Sequence, residues 1–193
     1  MKFRGVKRCR WAESHALLKE YHDNEWGVPV HDDRKLFEFL VLEGAQAGLN
    51  WLTILKKRDA FRAAFEDFEP RKVARFSRAD IRRLLANRQI IRNRLKISAA
   101  VTNARQFIFV QDEFGSFNHH IWQFVGGKPI KHRFKSTSFI PAKSKESDRM
   151  SEDMKRRGFK FVGSTTCYAF MQATGMVNDH VTDCFRYSEV SSL

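Results

Sequence analysis

The hydrophobic residues of this chain recur mainly at spacings of three or four positions, the period of an α-helix. Asp32 and Asp33 precede the first stripe and are good helix-capping residues. Pro70 stands at a first helical position, and Ser77–Asp80 has the form of a capping box. The stripes predict helices through Leu36, Phe37, Leu40, Val41, Gly44 and Gly48, through Trp51, Ile54, Leu55, Phe61 and Phe65, and through Ile81, Leu84 and Leu85.

The second half of the chain also has mostly helical spacing. Its predicted helices run from Asn93 to near Val110, from Ser147 to Arg157, and from Thr165 to Thr174, the last in the chain. Gly158 and Gly175 follow two of them as C-cap residues. The short apolar runs Phe107–Val110 and Phe159–Val162 look strand-like, although periodicity does not decide such short runs. Residues 126–145 contain Gly-Gly and two prolines and predict a long surface loop, so the fold is mainly α-helical.

The composition adds a strong positive charge to this helical pattern. Among 193 residues there are 35 Lys and Arg against 22 Asp and Glu, a net charge of +13, and 42% of residues are hydrophobic. That apolar content is enough for one compact domain or two small lobes and excludes a disordered or fibrous chain. A cationic excess of this size is typical of proteins that bind polyanions, so nucleic acid is the predicted partner.

Two missing signals narrow the class of protein further. No apolar run approaches the roughly 18 residues of a membrane span, and the first residues lack the apolar stretch of a signal peptide. We therefore expect a cytoplasmic protein that does not bind membranes. The three scattered cysteines, Cys9, Cys167 and Cys184, do not make a disulfide framework, which leaves thiol or metal-ligand roles.

Two pairs of possible metal ligands lie near the ends of the chain. Cys9 and His22 lie near the start, while His180 and Cys184 lie near the end with three residues between them. On one helical turn His180 and Cys184 would face the same way and supply half of a tetrahedral zinc site. The alternative is a core cysteine beside a helix-terminal histidine. Zinc held by all four residues would be structural and would tie the chain ends together.

A carboxylate occurs within a hydrophobic stripe and close to aromatic residues. Glu43 lies between Leu42 and Gly44, where a carboxylate is buried at a cost unless it has a partner. Tyr21 and Trp51 flank it in sequence, with Trp11 and Trp26 nearby. Aromatic faces around a buried carboxylate suit a pocket for a nucleobase, because rings stack on the base and the carboxylate accepts its hydrogen bonds. The alternative is a solvent-facing Glu43 with the aromatic residues in an ordinary core.

Basic clusters recur along the chain, and one of them separates two predicted helices. This segment contains the three arginines Arg88, Arg92 and Arg94, and it leads into the helix that begins near Asn93. Basic side chains and free backbone N–H groups at a helix N-terminus can bind phosphates, as in a helix–hairpin–helix. The alternative is a solvated charged surface.

Six blocks of sequence, spread over nearly the whole chain, form a pattern. They are Tyr21–Pro29, Leu42–Trp51, Ile90–Arg94 with Lys96–Ile97, Arg157–Gly163, Cys167–Tyr168 and Val177–His180. In content and order these blocks resemble the DNA-3-methyladenine glycosylase I family, which belongs to the helix–hairpin–helix DNA glycosylase superfamily. The resemblance implies an enzyme of base-excision repair that flips N3-methyladenine out of alkylated double-stranded DNA and hydrolyses its N-glycosidic bond.

The family resemblance also implies an architecture. It predicts an all-α fold in which the N- and C-terminal segments meet around one structural zinc ion held by Cys9, His22, His180 and Cys184. One compact unit of two lobes is expected, with a helix–hairpin–helix lobe at about 35–112 and a zinc-containing lobe at about 1–34 plus 113–193. We expect a monomer.

The same resemblance assigns roles to further residues. Glu43 recognises the base, Tyr21 and Trp51 form the pocket wall, and Trp11 is a third wall residue. Residues that hold the DNA are Arg88, Arg92, Arg94 and Lys96, and Leu49 is expected to fill the space that the flipped nucleotide leaves. Two departures from the family pattern, Leu18 in place of an aromatic residue and Gln89 in place of glycine, bear on substrate range and DNA affinity.

Two other classes of protein are alternatives to such an enzyme. A zinc-stabilised DNA-binding module without chemistry would bind DNA with strong salt dependence and no preference for a lesion. A zinc nuclease or deaminase needs an open metal position, which four protein ligands would not leave, and a deaminase would also carry a Cys-x-x-Cys pair that this chain lacks.

Overall fold

The computed structural model describes residues 6–193, and these form a predominantly helical structure. Its α-helices are α1 Ala16–Asn24, α2 Asp33–Gln46, α3 Trp51–Leu55, α4 Arg58–Ala64, α5 Pro70–Val73, α6 Arg78–Ala86, α7 Arg94–Phe114, α8 Phe117–Trp122, α9 Lys145–Arg156, α10 Ser164–Ala173 and α11 Phe185–Ser191. Short 3-10 helices cover Arg10–Ser14, Glu66–Phe68, Gln123–Val125 and Thr137–Phe139. Two two-residue strands, β1 Ile130–Lys131 and β2 Val177–Asn178, pair in parallel.

The predicted helix starts are confirmed, two of them by capping hydrogen bonds and one by a proline at its first position. Asp32 accepts the Lys35 backbone N–H at the start of α2. Pro70 opens α5, and Ser77 forms a full capping box with Asp80 at the start of α6. Such caps satisfy N–H groups that have no partner within the helix, so each stabilises its helix by about 1 kcal/mol.

The core forms where α2 packs against α7 and α10. Nine of the fourteen α2 residues are buried, from Leu36 to Ala45, so this helix runs through the molecule rather than along its surface. The 21-residue α7 packs on α2, α5, α6 and α8. Because a helix enclosed in this way has a fixed position, side chains on α2 are held with little freedom.

Several predicted elements differ from the structure. Phe107–Val110 is part of α7 and Phe159–Val162 is a turn, so the strand-like interpretation of both runs is wrong. Phe161 has φ +55°, a left-handed conformation that no strand contains. The helix predicted through Gly48 ends at Gln46, and Gly48 adopts φ +76° in the following turn.

The C-terminal part of the chain also departs from the prediction. The helix predicted to be last is α10, and α11 follows it. The region 126–145 is more than a surface loop, because it contains β1 and a 3-10 turn at Thr137–Phe139. Pairing of β1 with β2 attaches this region to the segment just before His180.

None of the helices at residues 6–193 is both long enough and apolar enough to cross a membrane. The division into two lobes at about 35–112 and about 1–34 plus 113–193 stays a prediction, and residues 1–5 of the second lobe lie outside the described residues.

Candidate functional site

A cavity of about 340 Å³, open to solvent, lies between α1, α2, α3, α10 and the segment after β1. Its lining combines aromatic rings with a few polar side chains: Trp11, Tyr21, Trp26, Glu43, Gln46, Trp51, Thr137, Ile140, Pro141, Ala169 and Gln172. The four residues predicted for a base pocket, Glu43, Tyr21, Trp51 and Trp11, therefore line one cavity. An apolar cavity with few polar groups is the usual form of a small-molecule site.

Glu43 is the most unusual residue of this cavity. Its side chain is only 5% exposed, so the interpretation of a solvent-facing Glu43 is wrong. One carboxyl oxygen, Oε2, is buried without a hydrogen-bond partner among residues 6–193. Burial raises the pKa of Glu43 to about 8, because no positive group compensates the lost hydration of the carboxylate. A buried, unpaired carboxyl group is costly and is therefore typical of a binding site.

The aromatic residues form a connected wall beside Glu43. The Tyr21 and Trp51 ring centroids lie 5.3 Å apart, and those of Trp11 and Trp26 lie 5.1 Å apart. The indole Nε1 of Trp51 is buried without an acceptor among residues 6–193. Burial, together with the nearby Glu43 charge, raises the pKa of Tyr21, so its hydroxyl stays protonated. The wall therefore offers a bound molecule neutral, electron-rich ring faces and at least one hydrogen-bond donor, the Trp51 indole N–H, for which the described part of the chain supplies no other partner.

Part of the lining was missed from the sequence. Gln46 lies one helical turn after Glu43 on α2, and that spacing could have identified it. Gln172 similarly lies one turn after Tyr168 on α10. Thr137, Ile140 and Pro141 come from the region predicted as a surface loop, and no sequence pattern points to them.

The two ends of the chain meet at a cluster of four buried side chains: Cys9, His22, His180 and Cys184. Their ligand atoms all lie within 4.8 Å of one another. Cys184 Sγ is 3.4 Å from His22 Nε2 and 3.6 Å from His180 Nδ1, and Cys9 Sγ is 3.7 Å from His180 Nδ1. These separations match the about 3.6 Å between sulfur and nitrogen ligands that tetrahedral zinc bond lengths imply. The cluster can hold a metal ion.

The expected local geometry of His180 and Cys184 is corrected by the structure. They do not share a helical turn, since residues 179–184 form an irregular turn and Cys184 caps the start of α11. The turn is closed by a hydrogen bond from the Cys184 N–H to the Val181 carbonyl, 2.8 Å long. This turn, rather than the predicted helix, brings the His180 and Cys184 side chains together.

Each histidine of the cluster is oriented by a hydrogen bond on its other ring nitrogen. His22 Nδ1 lies 2.8 Å from Asp23 Oδ1, and His180 Nε2 lies 2.9 Å from the Trp26 carbonyl oxygen. Arg8 holds Asp23 through bonds of 2.8 and 2.9 Å. Such contacts fix the ring so that the free nitrogen faces the ligand position, as is usual at protein metal sites.

The predicted helix–hairpin–helix consists of α6, the connection 87–93, and α7. Arg88, Arg92 and Arg94 are exposed and make no ion pair among residues 6–193. Lys57 Nζ donates to the Gln89 carbonyl at 3.0 Å, which braces the connection from outside. The three guanidinium groups are therefore free to bind an anion at the N-terminus of α7.

The other residues expected to contact DNA occupy different environments. Lys96 is half-buried, and its ammonium group donates to the Ala45 and Ala47 carbonyls at the end of α2. Leu49 is 42% exposed in the turn between α2 and α3. Leu18 is half-buried and does not line the cavity. Gln89 has a negative φ, so the connection at this position does not require glycine.

The comparisons with known proteins agree with this geometry. The sequence profile of the methyladenine glycosylase family matches residues 11–187. A DNA-3-methyladenine glycosylase 1 from Escherichia coli strain K12 is 47% identical over 182 residues, covering 94% of this chain and 97% of that protein. A DNA-3-methyladenine glycosylase from Haemophilus influenzae is 44% identical, with 92% and 96% covered.

A solved structure shows the same likeness in three dimensions. The 3-methyladenine DNA glycosylase I from Staphylococcus aureus, studied for the structural basis of 3-methyladenine recognition, is 37% identical. Its TM-score is 0.90, with 93% of this chain and 96% of that chain covered. Sequence and fold therefore point to the same group of proteins.

Proposed function

This chain belongs to the methyladenine glycosylase family, and from that we propose that it is a DNA repair glycosylase that excises N3-methyladenine from alkylated DNA. The observation that carries the proposal is the cavity, where the buried, unpaired carboxyl group of Glu43 faces a wall of aromatic rings. The relatives named for this activity cover nearly the full chain. A module that only bound DNA would have no use for such a cavity.

The cavity fits a single base that has been rotated out of the duplex. An enzyme cannot reach the glycosidic bond inside a stacked duplex, and flipping costs a few kcal/mol, least for a poorly paired base. N3-methylation makes adenine cationic, which suits stacking on Tyr21 and Trp51 as well as attraction to Glu43. Each stacking contact contributes about 1–3 kcal/mol.

Glu43 selects and orients the base in this proposal. A cation entering the cavity supplies the charge partner that the free carboxyl group lacks, so binding favours the ionised form of Glu43. The cationic base is already an activated leaving group, and water completes hydrolysis of the N-glycosidic bond without a strong general base. The electrons of the broken bond return to the adenine ring, which leaves as neutral 3-methyladenine.

The connection between α6 and α7 binds the DNA backbone in this proposal. Arg88, Arg92 and Arg94 are exposed there without ion pairs among residues 6–193, and each can neutralise a phosphate. Lys96 acts differently from its neighbours, because its ammonium group already holds the end of α2. Lys96 therefore positions the turn that carries Leu49, which we propose enters the duplex where the nucleotide has left.

The metal at the four-residue cluster is zinc in this proposal, with a structural role. Two thiolates and two imidazoles form a set that zinc prefers, and their spacing fits a tetrahedron. Four protein ligands leave no position for water or substrate, so bound zinc supplies folding energy rather than chemistry. This geometry does not suit a zinc nuclease or deaminase.

In this proposal the protein also acts as a monomer in the cytoplasm.

The test is release of free 3-methyladenine from methylated duplex DNA in buffer that contains EDTA, comparing wild type with Glu43→Gln. Glu20→Gln on the exposed side of α1 is the matched control. We expect release by wild type and by the control, and a loss of at least about 10-fold in Glu43→Gln. If the wild-type protein binds DNA but releases no 3-methyladenine, the result would favour the non-catalytic DNA-binding module. Unchanged release by Glu43→Gln would overturn the role of Glu43.

A further inference from the structure

A buried hydrogen-bond network outside the predicted site controls one polar group of the cavity. Asp179 is only 1% exposed, and its carboxylate receives three side-chain hydrogen bonds. Tyr168 Oη and Gln172 Nε2 donate to Oδ2 at 2.8 and 2.7 Å, and His132 Nδ1 donates to Oδ1 at 2.6 Å. Of these three donors, only Gln172 also lines the cavity.

The hydrogen bond to Asp179 fixes the orientation of the Gln172 side-chain amide. A carboxylate oxygen only accepts hydrogen bonds, so the NH₂ end of the amide must point toward Asp179. The carbonyl oxygen Oε1 accepts no hydrogen bond from residues 6–193, and it is not among the buried atoms without partners. It is therefore accessible and available to a molecule in the cavity.

The backbone around Gln172 is equally constrained. Gln172 and Tyr168 lie four residues apart on α10, so both reach Asp179 from the same helix face. The Gln172 carbonyl also accepts the Gly27 N–H at 3.0 Å. Gln172 thus lines the cavity from a rigid element, which is the condition for discriminating between ligands.

We propose that Gln172 is a specificity-determining residue whose Oε1 accepts a hydrogen bond from the exocyclic amine of the flipped base, and that Asp179 is the positioning residue that sets its orientation. The inference rests on the proposed function. While N3-methyladenine is attached to its sugar, the amine is its only N–H donor. Its two protons can be shared between the Glu43 carboxylate and the Gln172 carbonyl oxygen, two acceptors that line the cavity. N3-methylguanine presents a carbonyl oxygen at that ring position, which would meet acceptors and be disfavoured.

The test compares two bases in one reaction. Duplex DNA that carries both N3-methyladenine and N3-methylguanine is treated with each variant, and the ratio of the two kcat/KM values is measured. Gln172→Met keeps the length of the side chain and removes its acceptor. We expect 3-methyladenine release to fall about 5- to 10-fold, and the adenine-to-guanine ratio to fall at least about 5-fold. The exposed Gln123→Met is the matched control and leaves both values unchanged.

Two network variants separate orientation from stability. Asp179→Asn removes the carboxylate that fixes the amide, so the ratio falls as in Gln172→Met. Tyr168→Phe removes another donor to the same oxygen but leaves the Gln172 contact, so it lowers Tm without changing the ratio. If Asp179→Asn does not fold, the Gln172→Met and Tyr168→Phe pair still decides the question.

Two outcomes would overturn the inference. An unchanged ratio in Gln172→Met, even with both rates reduced equally, would show that Gln172 only supports the fold. Release of neither base by the wild-type protein would refute the proposed function, and this inference with it. The first of these outcomes, observed while wild type releases 3-methyladenine, would refute the inference alone.

Discussion

A single carboxyl group sets the electrostatics of the cavity. Glu43 is buried without a positive partner, and its pKa is raised to about 8. In the free protein near neutral pH the group is therefore mainly protonated. In the proposed function, a cationic base has to bind to the ionised minority or displace the proton. The strain of an unpaired buried group is thus relieved only when the ligand is present.

The pH dependence of excision follows from this pKa. We expect kcat/KM, which reports the free enzyme, to rise about 10-fold per pH unit below pH 8 and to level off above it. Glu43→Gln should be low and flat over the same range, since it has no proton to lose. The measurement is kcat/KM for both proteins at constant ionic strength, from about pH 6 to about pH 9. A wild-type profile that is flat below the pKa of about 8 would contradict the assignment.

The same group makes folding stability depend on pH. In the unfolded chain Glu43 loses its proton near the ordinary value of 4.5, whereas the folded protein holds it up to about pH 8. The unfolded state is therefore favoured increasingly as pH rises through that interval. We expect Glu43→Gln to be more stable than wild type by about 4 kcal/mol at about pH 8, and equal to it at about pH 4.

Urea titrations at those two pH values measure this gain in the free energy of unfolding. Glu20→Gln serves as the control, because its exposed carboxyl group gains nothing from the exchange. Equal stability of wild type and Glu43→Gln at the higher pH would mean that the buried carboxyl group has a compensating partner. A gain would show that stability is given up at this position for function.

At the residue scale the sequence predicts the centre of the cavity but not its rim. Glu43 is identified because a carboxylate interrupts a helical hydrophobic stripe, and Tyr21 and Trp51 because aromatic residues occur near it. Thr137 and Pro141 lie in an irregular segment whose position depends on the pairing of β1 with β2. Long-range pairing of two-residue strands leaves no local pattern, so their place at the cavity is not predictable.

Among the elements, the α6–α7 hairpin is the one that we propose binds the DNA backbone. A capping box at Ser77 fixes the start of α6, and the N-cap Asn93 fixes the start of α7 directly after the connection. Arg88, Arg92 and Arg94 extend from it without ion pairs among residues 6–193. Burial lowers the pKa of Lys96, whose ammonium group faces the α2 carbonyls instead of solvent.

Removing the three hairpin arginines tests this element. The triple variant carries Arg88→Ala, Arg92→Ala and Arg94→Ala together. We expect it to bind undamaged and methylated duplex DNA alike more weakly than wild type does. The slope of log K against log salt should decrease in magnitude by up to about 2.7, or about 0.9 for each phosphate that is no longer neutralised. Lys155→Ala, at an exposed position on α9 outside the hairpin, is the control. A slope identical to that of wild type would place the DNA elsewhere.

Element prediction succeeds where capping signals accompany the helical period and fails where they do not. The starts of α2, α5 and α6 are indicated by Asp32, Pro70 and Ser77. The strand interpretation of Phe107–Val110 is wrong because four apolar residues fit a strand locally, while the surrounding 21-residue α7 decides their conformation. The turn at 159–162 contains Phe161 at positive φ, which its β-favouring residues do not indicate.

On the scale of the whole molecule, the metal cluster and the cavity share one structure. Tyr21 precedes His22, Trp11 follows Cys9 by two residues, and the Trp26 carbonyl receives the bond from His180. The Trp26 and His180 ring centroids are 4.7 Å apart. Three aromatic residues of the wall are therefore held by the ligands themselves, so closing the chain ends also builds one side of the cavity.

This shared structure predicts how the protein responds to loss of the metal. We expect wild type purified without chelator to contain one zinc ion per chain, and Cys184→Ser to lose it with a fall in Tm of at least about 10 °C. Cys167→Ala is the matched control, since its buried thiol lies outside the cluster; it should keep the metal. Since zinc acts only on the fold in our proposal, Cd²⁺ added to metal-free wild-type protein should restore Tm and excision together. Excision that is lost in the Cd²⁺ protein at an unchanged Tm would show that the metal takes part in the chemistry.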